Sequence, residues 1–262
     1  QFIFTDGPPP DDVTGREVYA RKILRRLGDY AFRRPLDEPT LDRLVKLAIR
    51  HDQEEGVMFE QGIGRAVTAI LASPRFLFRA EIQADPDDPG RVVDLDEFAL
   101  ASRLSYFLWS TLPDPELMES AVKGGLRANL SRQVDRMIDS PNIQRFVDNF
   151  VGQWLQTRDV EGVNIDPRRI LRIRDSRQAN RVFNNRVRKA MRQETEMLFA
   201  HILQDNRSAL ELLTADYTFL NSTLAKFYGI AGVDGYEMRK VPIPDGNVRG
   251  GILTHGSVLL VT

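Results

Sequence analysis

Four times in this chain a capping side chain stands at or just before a proline that opens an apolar run. The pairs are Asp37 with Pro39, Ser73-Pro74, Asp114-Pro115 and Ser140-Pro141. An Asp or Ser oxygen takes up a free N–H of a first helical turn, and proline suits that turn because it has no N–H to leave unsatisfied. The apolar runs after or between them step by three and four residues: Leu41, Leu44, Val45, Ala48 and Ile49, then Ile63, Ala66, Val67, Ile70 and Leu71. After Pro141 come Ile143, Phe146, Val147, Phe150, Val151 and Trp154, which read as a core stripe. A further helix is expected from Glu17, with Val18, Ile23, Leu24, Leu27 and Ala31 on one face. The first fifteen residues read as a strand-like segment and a turn. Alternating, strand-like sequence is otherwise scarce and is clearest in YEMRKVPIP. The expected architecture is mainly α: a multi-helix orthogonal bundle of roughly ten helices with a minor β element near the C-terminus.

At 262 residues the chain is long enough for one large or two small domains. ADPDDPG, at 84–90, has the composition of a linker. It divides an N-terminal helical module, 1–83, from a larger helical module, 94–262, with 84–93 between them. Its acids lack the spacing of an EF-hand, so a solvated linker is the plainer reading than a calcium site. Beyond it, Asp94 and Glu97 resemble a capping box for EFALASRLSYFLW, which is apolar nearly all round and is expected to be central. Leu126, Leu130, Val134, Met137 and Ile138 mark another helix, and 176–203 reads as one long helical pattern.

Composition excludes several classes of function. There is no cysteine, hence no disulfide, thiolate zinc site, iron–sulfur cluster or covalently attached haem within this chain. The net charge of −1 predicts no nucleic-acid partner, and no apolar run reaches the ~18 residues of a membrane span. Arginine outnumbers lysine 30 to 6. Genome base composition accounts for such a skew; bidentate anion recognition is the alternative. Ten basic residues and one acid lie between Arg168 and Arg192. They read as a face that pairs with acids or docks another module, with salt-sensitive anion binding as the sharper alternative.

Six stretches carry a resemblance: YAFRRPLDEPTLDRL, RLSYFLWSTLPDPEL, FVGQWLQTRDV, MRQETEMLFAHIL, ADYTFLNSTLAKFYGI and RGGILTHGSVLLVT. In this order they resemble the planctomycete-type, cytochrome-c-associated proteins of unknown function, which are large exported bacterial proteins. The resemblance implies two adjacent family modules, the second truncated at its C-terminus, and both ends of the chain read as cut. It implies an extracytoplasmic location, periplasmic or secreted, and a c-type haem in a separate domain, with no cofactor in this chain. The partners implied are other modules of the same polypeptide or a c-type cytochrome. Family cysteines near the positions of Thr5 and of Val18 or Tyr19 are missing here, so that disulfide is expected to be absent.

Candidate site residues come from the long helical pattern at 176–203 and from the two segments TADYTFLNSTLAKFYGI and RGGILTHG. Glu194 falls on the apolar stripe of Phe183, Val187, Ala190 or Met191, Leu198 and Ile202, and His201 comes seven residues later on nearly the same face. A carboxylate turned inward needs a partner, so Glu194 is a buried pair that fixes register or a functional group, unless the helical phase differs and leaves it solvated. Glu194 and His201 lie ~10 Å apart along a helix axis, too far to share one metal, and with three histidines no metal site is expected. In TADYTFLNSTLAKFYGI, Asn221 reads as the cap of a helix over Ser222–Tyr228 closed by Gly229, which leaves Asp216 and Tyr217 unexplained. In RGGILTHG, Gly250-Gly251 permits close backbone approach, Arg249 is a candidate partner for Glu194 or Asp216, and His255 is a structural histidine or a base.

Two functions are compatible with these features. One is a helical extracytoplasmic module of a larger redox-associated protein, acting as scaffold or docking element. The other is an enzyme, hydrolytic or oxidative, whose site gathers Glu194, Asp216, Tyr217, Arg249 and His255. An enzyme needs these side chains on a pocket open to solvent; a structural cluster seals them among themselves.

Overall fold

The Asp12 carboxylate accepts the Gly15 N–H at 2.7 Å and starts α1, Val13–Phe32, four residues before the expected Glu17. No strand precedes it among the described residues. The structure, a computed structural model, describes all residues except 1, 2, 6, 55, 80, 82–86, 89, 245 and 262. The apolar opening QFIF and the linker at 84–90 fall partly outside the described residues. The chain divides into two compact units, Gln1–Val134 and Asp135–Thr262.

In the first unit α1 packs with α2, Glu38–Asp52, and α3, Phe59–Leu71. Asp37 caps α2 by accepting the Thr40 N–H at 2.9 Å. The core is the meeting of the three stripes, with Ile23, Leu24, Leu41, Val45, Ile63 and Ala66 fully enclosed. Ser73 caps a single turn, α4, Pro74–Leu77. α1 ends on Arg33 in a left-handed conformation, φ 57°, unusual for a residue with a side chain. The side chain explains it. The Arg33 guanidinium is buried and donates to the carbonyls of Arg75 at 2.8 Å and Phe78 at 3.0 Å, tying α4 to the end of α1.

α5, Glu97–Trp109, is capped by Asp96, which accepts the Ala99 N–H at 2.7 Å, and not by Asp94. Glu97 has other work: its carboxylate accepts the N–H groups of Leu126 at 2.6 Å and Arg127 at 3.2 Å. Only one face of α5 is buried, through Ala99, Ala101, Ser105, Leu108 and Trp109. Phe107 is exposed, so α5 is not the fully enclosed central helix that its composition suggests. α6, Pro115–Val122, starts at Asp114, and α7 spans Leu130–Ile138.

In the second unit a 3-10 turn at Pro141–Ile143, opened by Ser140, leads into α8, Gln144–Trp154. Its stripe is half core. Ile143, Val147 and Val151 are buried, whereas Phe150 is 41% and Trp154 51% exposed. These two form an aromatic row with Phe146 and Phe199, with ring centroids 5.2 to 6.5 Å apart. After α9, Pro167–Leu171, the pattern at 176–203 is not one helix. It breaks into α10, Ser176–Val182, and α11, Asn185–Gln204. The break is chemical: the Asn184 side chain accepts the N–H groups of Arg186 at 2.9 Å and Val187 at 3.3 Å and starts a new helix. Arg188 of α11 is buried and donates to the Val163 carbonyl at 2.6 Å, so part of the basic run holds a loop.

The rest is α12, Glu211–Thr214; β1, Tyr217–Leu220; α13, Ser222–Tyr228; β2, Arg239–Pro242; and α14, Gly256–Val261. β1 and β2 pair antiparallel, with Tyr217 opposite Pro242 and Leu220 opposite Arg239. The fold is mainly α with one small sheet near the C-terminus. Short helices such as α4 and α12 carry the number above the expected ten.

The Arg33 clamp and its backbone make separable contributions. Arg33→Ala is expected to destabilise the chain by about 2–4 kcal/mol, and Arg33→Gly by about 1 kcal/mol less, because glycine relieves the left-handed backbone. Urea denaturation of the two variants checks this; equal stabilities would contradict a strained residue 33.

Candidate polar site on α11

β1 decides which candidates meet. Successive side chains of a strand point to opposite faces, and all four of its residues are buried. Thr218 and Leu220 face one side, and Tyr217 and Phe219 the other.

On the Thr218 side lies Glu194 of α11, 1% exposed. Thr218 Oγ1 donates to Glu194 Oε1 at 2.6 Å, and Tyr228 Oη donates to Oε2 at 2.6 Å. Tyr228 is presented by α13, which Asn221 caps through the Leu224 N–H at 3.0 Å and Gly229 closes at φ 73°. The same Tyr228 hydroxyl accepts the Gly256 N–H at 3.0 Å. A Cβ on Gly256 would lie 2.7 Å from that oxygen and from Met191 Sδ, so only glycine fits there.

The approach to Gly256 is also built by glycine. Gly251 has φ 61°, and a Cβ there would meet the Leu213 carbonyl at 2.5 Å. Arg249 lies with Cζ 3.3 Å from the Tyr228 ring centroid and donates from Nη1 to the Thr254 carbonyl at 2.8 Å. His255 then enters the interior, 2% exposed. Its Nδ1 pairs with Thr195 Oγ1 at 2.9 Å, and Thr195 Oγ1 pairs with Ser257 Oγ at 2.7 Å. His255 Nε2 has no hydrogen-bond partner among the described residues and sits 3.9 Å from Glu194 Oε1.

That distance decides the charge state. Two buried charges need a close, fully hydrogen-bonded contact to offset their lost hydration, and 3.9 Å is too long. Burial raises the Glu194 carboxyl to about 7, against the opposing pull of Thr218, Tyr228 and Arg249. Burial, and then the Arg249 charge, lower His255 to about 3. Near pH 5, about the middle of the interval between those values, the pair is neutral: protonated carboxyl, unprotonated imidazole. Burial also raises Tyr228, reinforced by Glu194.

Tyr217 is held on the other face of β1. Its hydroxyl donates to Glu211 at 2.8 Å, and the Lys240 ammonium lies 3.7 Å from its ring centroid. Burial and then Glu211 push its pKa up to about 12. His201 joins this second group: its Nε2 accepts from Lys240 at 2.7 Å, and its ring meets Tyr217 edge-on. Burial, then Lys240, lower its pKa. Asp216 is exposed, and its backbone carbonyl accepts the Ile243 N–H at 2.8 Å. Glu194, Arg249 and His255 therefore come together, while Asp216 and Tyr217 stand apart from them. Thr195, Thr218, Tyr228 and Ser257 complete the cluster, and no sequence pattern singles them out. The one available signal is Thr218, one strand position from Tyr217.

Among the described residues no group of three or more His, Asp or Glu side chains could hold a metal ion. No helix among them is long and apolar enough to cross a membrane. Residues 95–230, just over half of the chain, match the family model described as protein of unknown function (DUF1592). Residues 19–81 match a second, described as protein of unknown function (DUF1595). The two matches are adjacent modules. No curated protein and no solved structure matches the chain.

The neutral pair has a signature in stability against pH. A carboxyl raised from 4.5 to about 7 contributes stability that falls as pH rises through that interval. A histidine lowered from 6.5 to about 3 contributes stability that rises with pH between those values. From pH 4.5 to 6.5 the two slopes cancel, because folding moves one proton from His255 to Glu194. Glu194→Gln is expected to leave a rising slope there and His255→Asn a falling one, each worth about 2–3 kcal/mol across the window. Urea melts at several pH values read both, with Glu196, also raised to about 7, common to both variants. Identical slopes in the two variants would contradict the neutral pair.

Proposed function

The chain belongs to the family described as protein of unknown function (DUF1592), and from that premise we propose that it is a structural module of a larger, exported bacterial protein linked to a c-type cytochrome. Its role is to scaffold or dock, with any haem carried by a separate domain. The observation that carries this reading is the sealing of Glu194 and His255, each no more than 2% exposed and satisfied largely by the surrounding hydroxyls. A catalytic acid or base must reach its substrate, and this one has no exposed surface to reach with. The cluster ties α11, β1, α13 and the start of α14 together, as a register lock does. The exposed aromatic row of Phe150 and Trp154 supports docking, since aromatic side chains of this kind anchor partner modules.

The enzyme reading calls for Asp216 and Tyr217 beside Glu194; Tyr217 lies on the opposite face of β1, bonded to Glu211, and Asp216, just before the strand, is exposed. The residual candidate for chemistry is the more exposed group of Tyr217, His201 and Lys240.

A purified soluble c-type cytochrome is expected to bind the chain saturably, and Trp154→Ala to weaken that binding about tenfold or more with the melting curve retained. Calorimetric titration measures both. Absence of saturable binding would count against docking. Loss of a hydrolytic or oxidative turnover in a well-folded Glu194→Gln variant would favour the enzyme.

A further inference from the structure

The excess of arginine has one concentration that the fold uses only in part and the docking role does not use. In the first unit a groove of about 710 Å³ opens between the end of α1, the start of α2, α4 and α5. Five arginines line it: Arg33, Arg34, Arg75, Arg79 and Arg103. Their carboxylate partners among the described residues number three: Asp37 on Arg75 at 2.6 Å, Asp96 on Arg34 at 3.1 Å, and Glu81 on Arg103 at 2.5 and 2.7 Å. Two cations are left without a counter-charge among those residues. Arg33 is buried and spends its N–H groups on carbonyls, which leaves its positive charge in the groove wall uncompensated.

Arg79 differs from the others. Its guanidinium lies 4.6 Å from the Tyr106 ring centroid and has no carboxylate partner among the described residues. The cation–π contact holds the guanidinium beside the ring, and its N–H groups, which match a carboxylate in bidentate fashion, have no acid to bind among the described residues. Beside it Phe78, 66% exposed, lines the same groove as Pro35. The Ser102 hydroxyl offers a neutral contact on the α5 side. The volume is that of a small-molecule site.

We infer that this groove binds a small organic carboxylate with a flat apolar body, of the aryl-carboxylate class. The carboxylate bonds the edge of Arg79 within the positive potential of Arg33, and the ring lies against Phe78. An inorganic anion would use the charge and leave the phenylalanine bare; a neutral aromatic would do the reverse. The whole chain carries a net charge of −1, so the attraction is local to the groove and not a property of the surface at large.

The test is a titration of the isotope-labelled full chain with benzoate, inorganic phosphate and benzyl alcohol, read by NMR shifts. Benzoate is expected to shift resonances of residues 75–79 and 99–106 saturably, more tightly than either control, and more weakly as salt is raised. Arg79→Ala is expected to lower benzoate affinity about tenfold or more. Phe78→Ala, on an exposed side chain, serves as a second variant with the same direction of effect. Scattered, non-saturating shifts, or affinity unchanged in a folded Arg79→Ala, would overturn the site. Phosphate binding as tightly as benzoate would overturn the assignment of an aryl ligand.

Discussion

A single carboxyl group turned into the interior organises the second unit. Glu194 cannot be left bare in a core, so the chain supplies a hydroxyl from β1 and a hydroxyl from α13, the latter held in turn by the Gly256 N–H at the start of α14. Each donor comes from a different element. The geometry that satisfies one acid thereby fixes the strand face, the orientation of α13 and the path of the Arg249–Gly256 segment. Gly251 and Gly256 are the backbone conditions for that path, because a side chain at either would collide with Leu213 or with Tyr228.

The arginine excess finds much of its physical meaning in the loops. Arg33, Arg127 and Arg188 hold carbonyls of distant segments, and Arg239 and Arg249 hold the nearby carbonyls of Asp234 and Thr254. A guanidinium offers five donors in a plane and can bind several carbonyls of an irregular segment at once. In a chain of many short helices the connecting backbone is extensive, and its carbonyls need such donors. Lysine, with a compact ammonium, does this less well. Where arginines converge without carbonyls or acids enough to occupy them, beside α4 and α5, the surplus becomes an anion-binding groove.

Local chemistry made the helix boundaries of the sequence readable, and long-range geometry did not announce itself. Asp37, Asp114, Asn221 and Gly229 act where their side chains or φ values predict, because a cap is satisfied within four residues. The inward turn of Glu194 was legible from its stripe. The division of the apparent long helix was not, because Asn184 carries no apolar gap to mark it. Phe150 and Trp154 misled in the opposite way: helical spacing places them on a stripe but does not say where the core ends. Asp216 and Tyr217 stand out in the sequence because the cap and helix of their segment leave them unexplained; Tyr217 adjoins Thr218 in β1, whereas Asp216 precedes the strand and is exposed. In a strand, adjacency means opposite faces, and Thr218 was the member that mattered.

The protonation state of Glu194 bears most directly on all of this, and side-chain carbonyl NMR of the ¹³C-labelled chain reads it as pH is varied. The expected result is a midpoint near 7, with the His255 ring unprotonated throughout the folded range above about 3. A midpoint at the ordinary glutamate value of 4.5, or a protonated His255 at pH 5, would mean that the interior holds an ion pair and not a neutral lock.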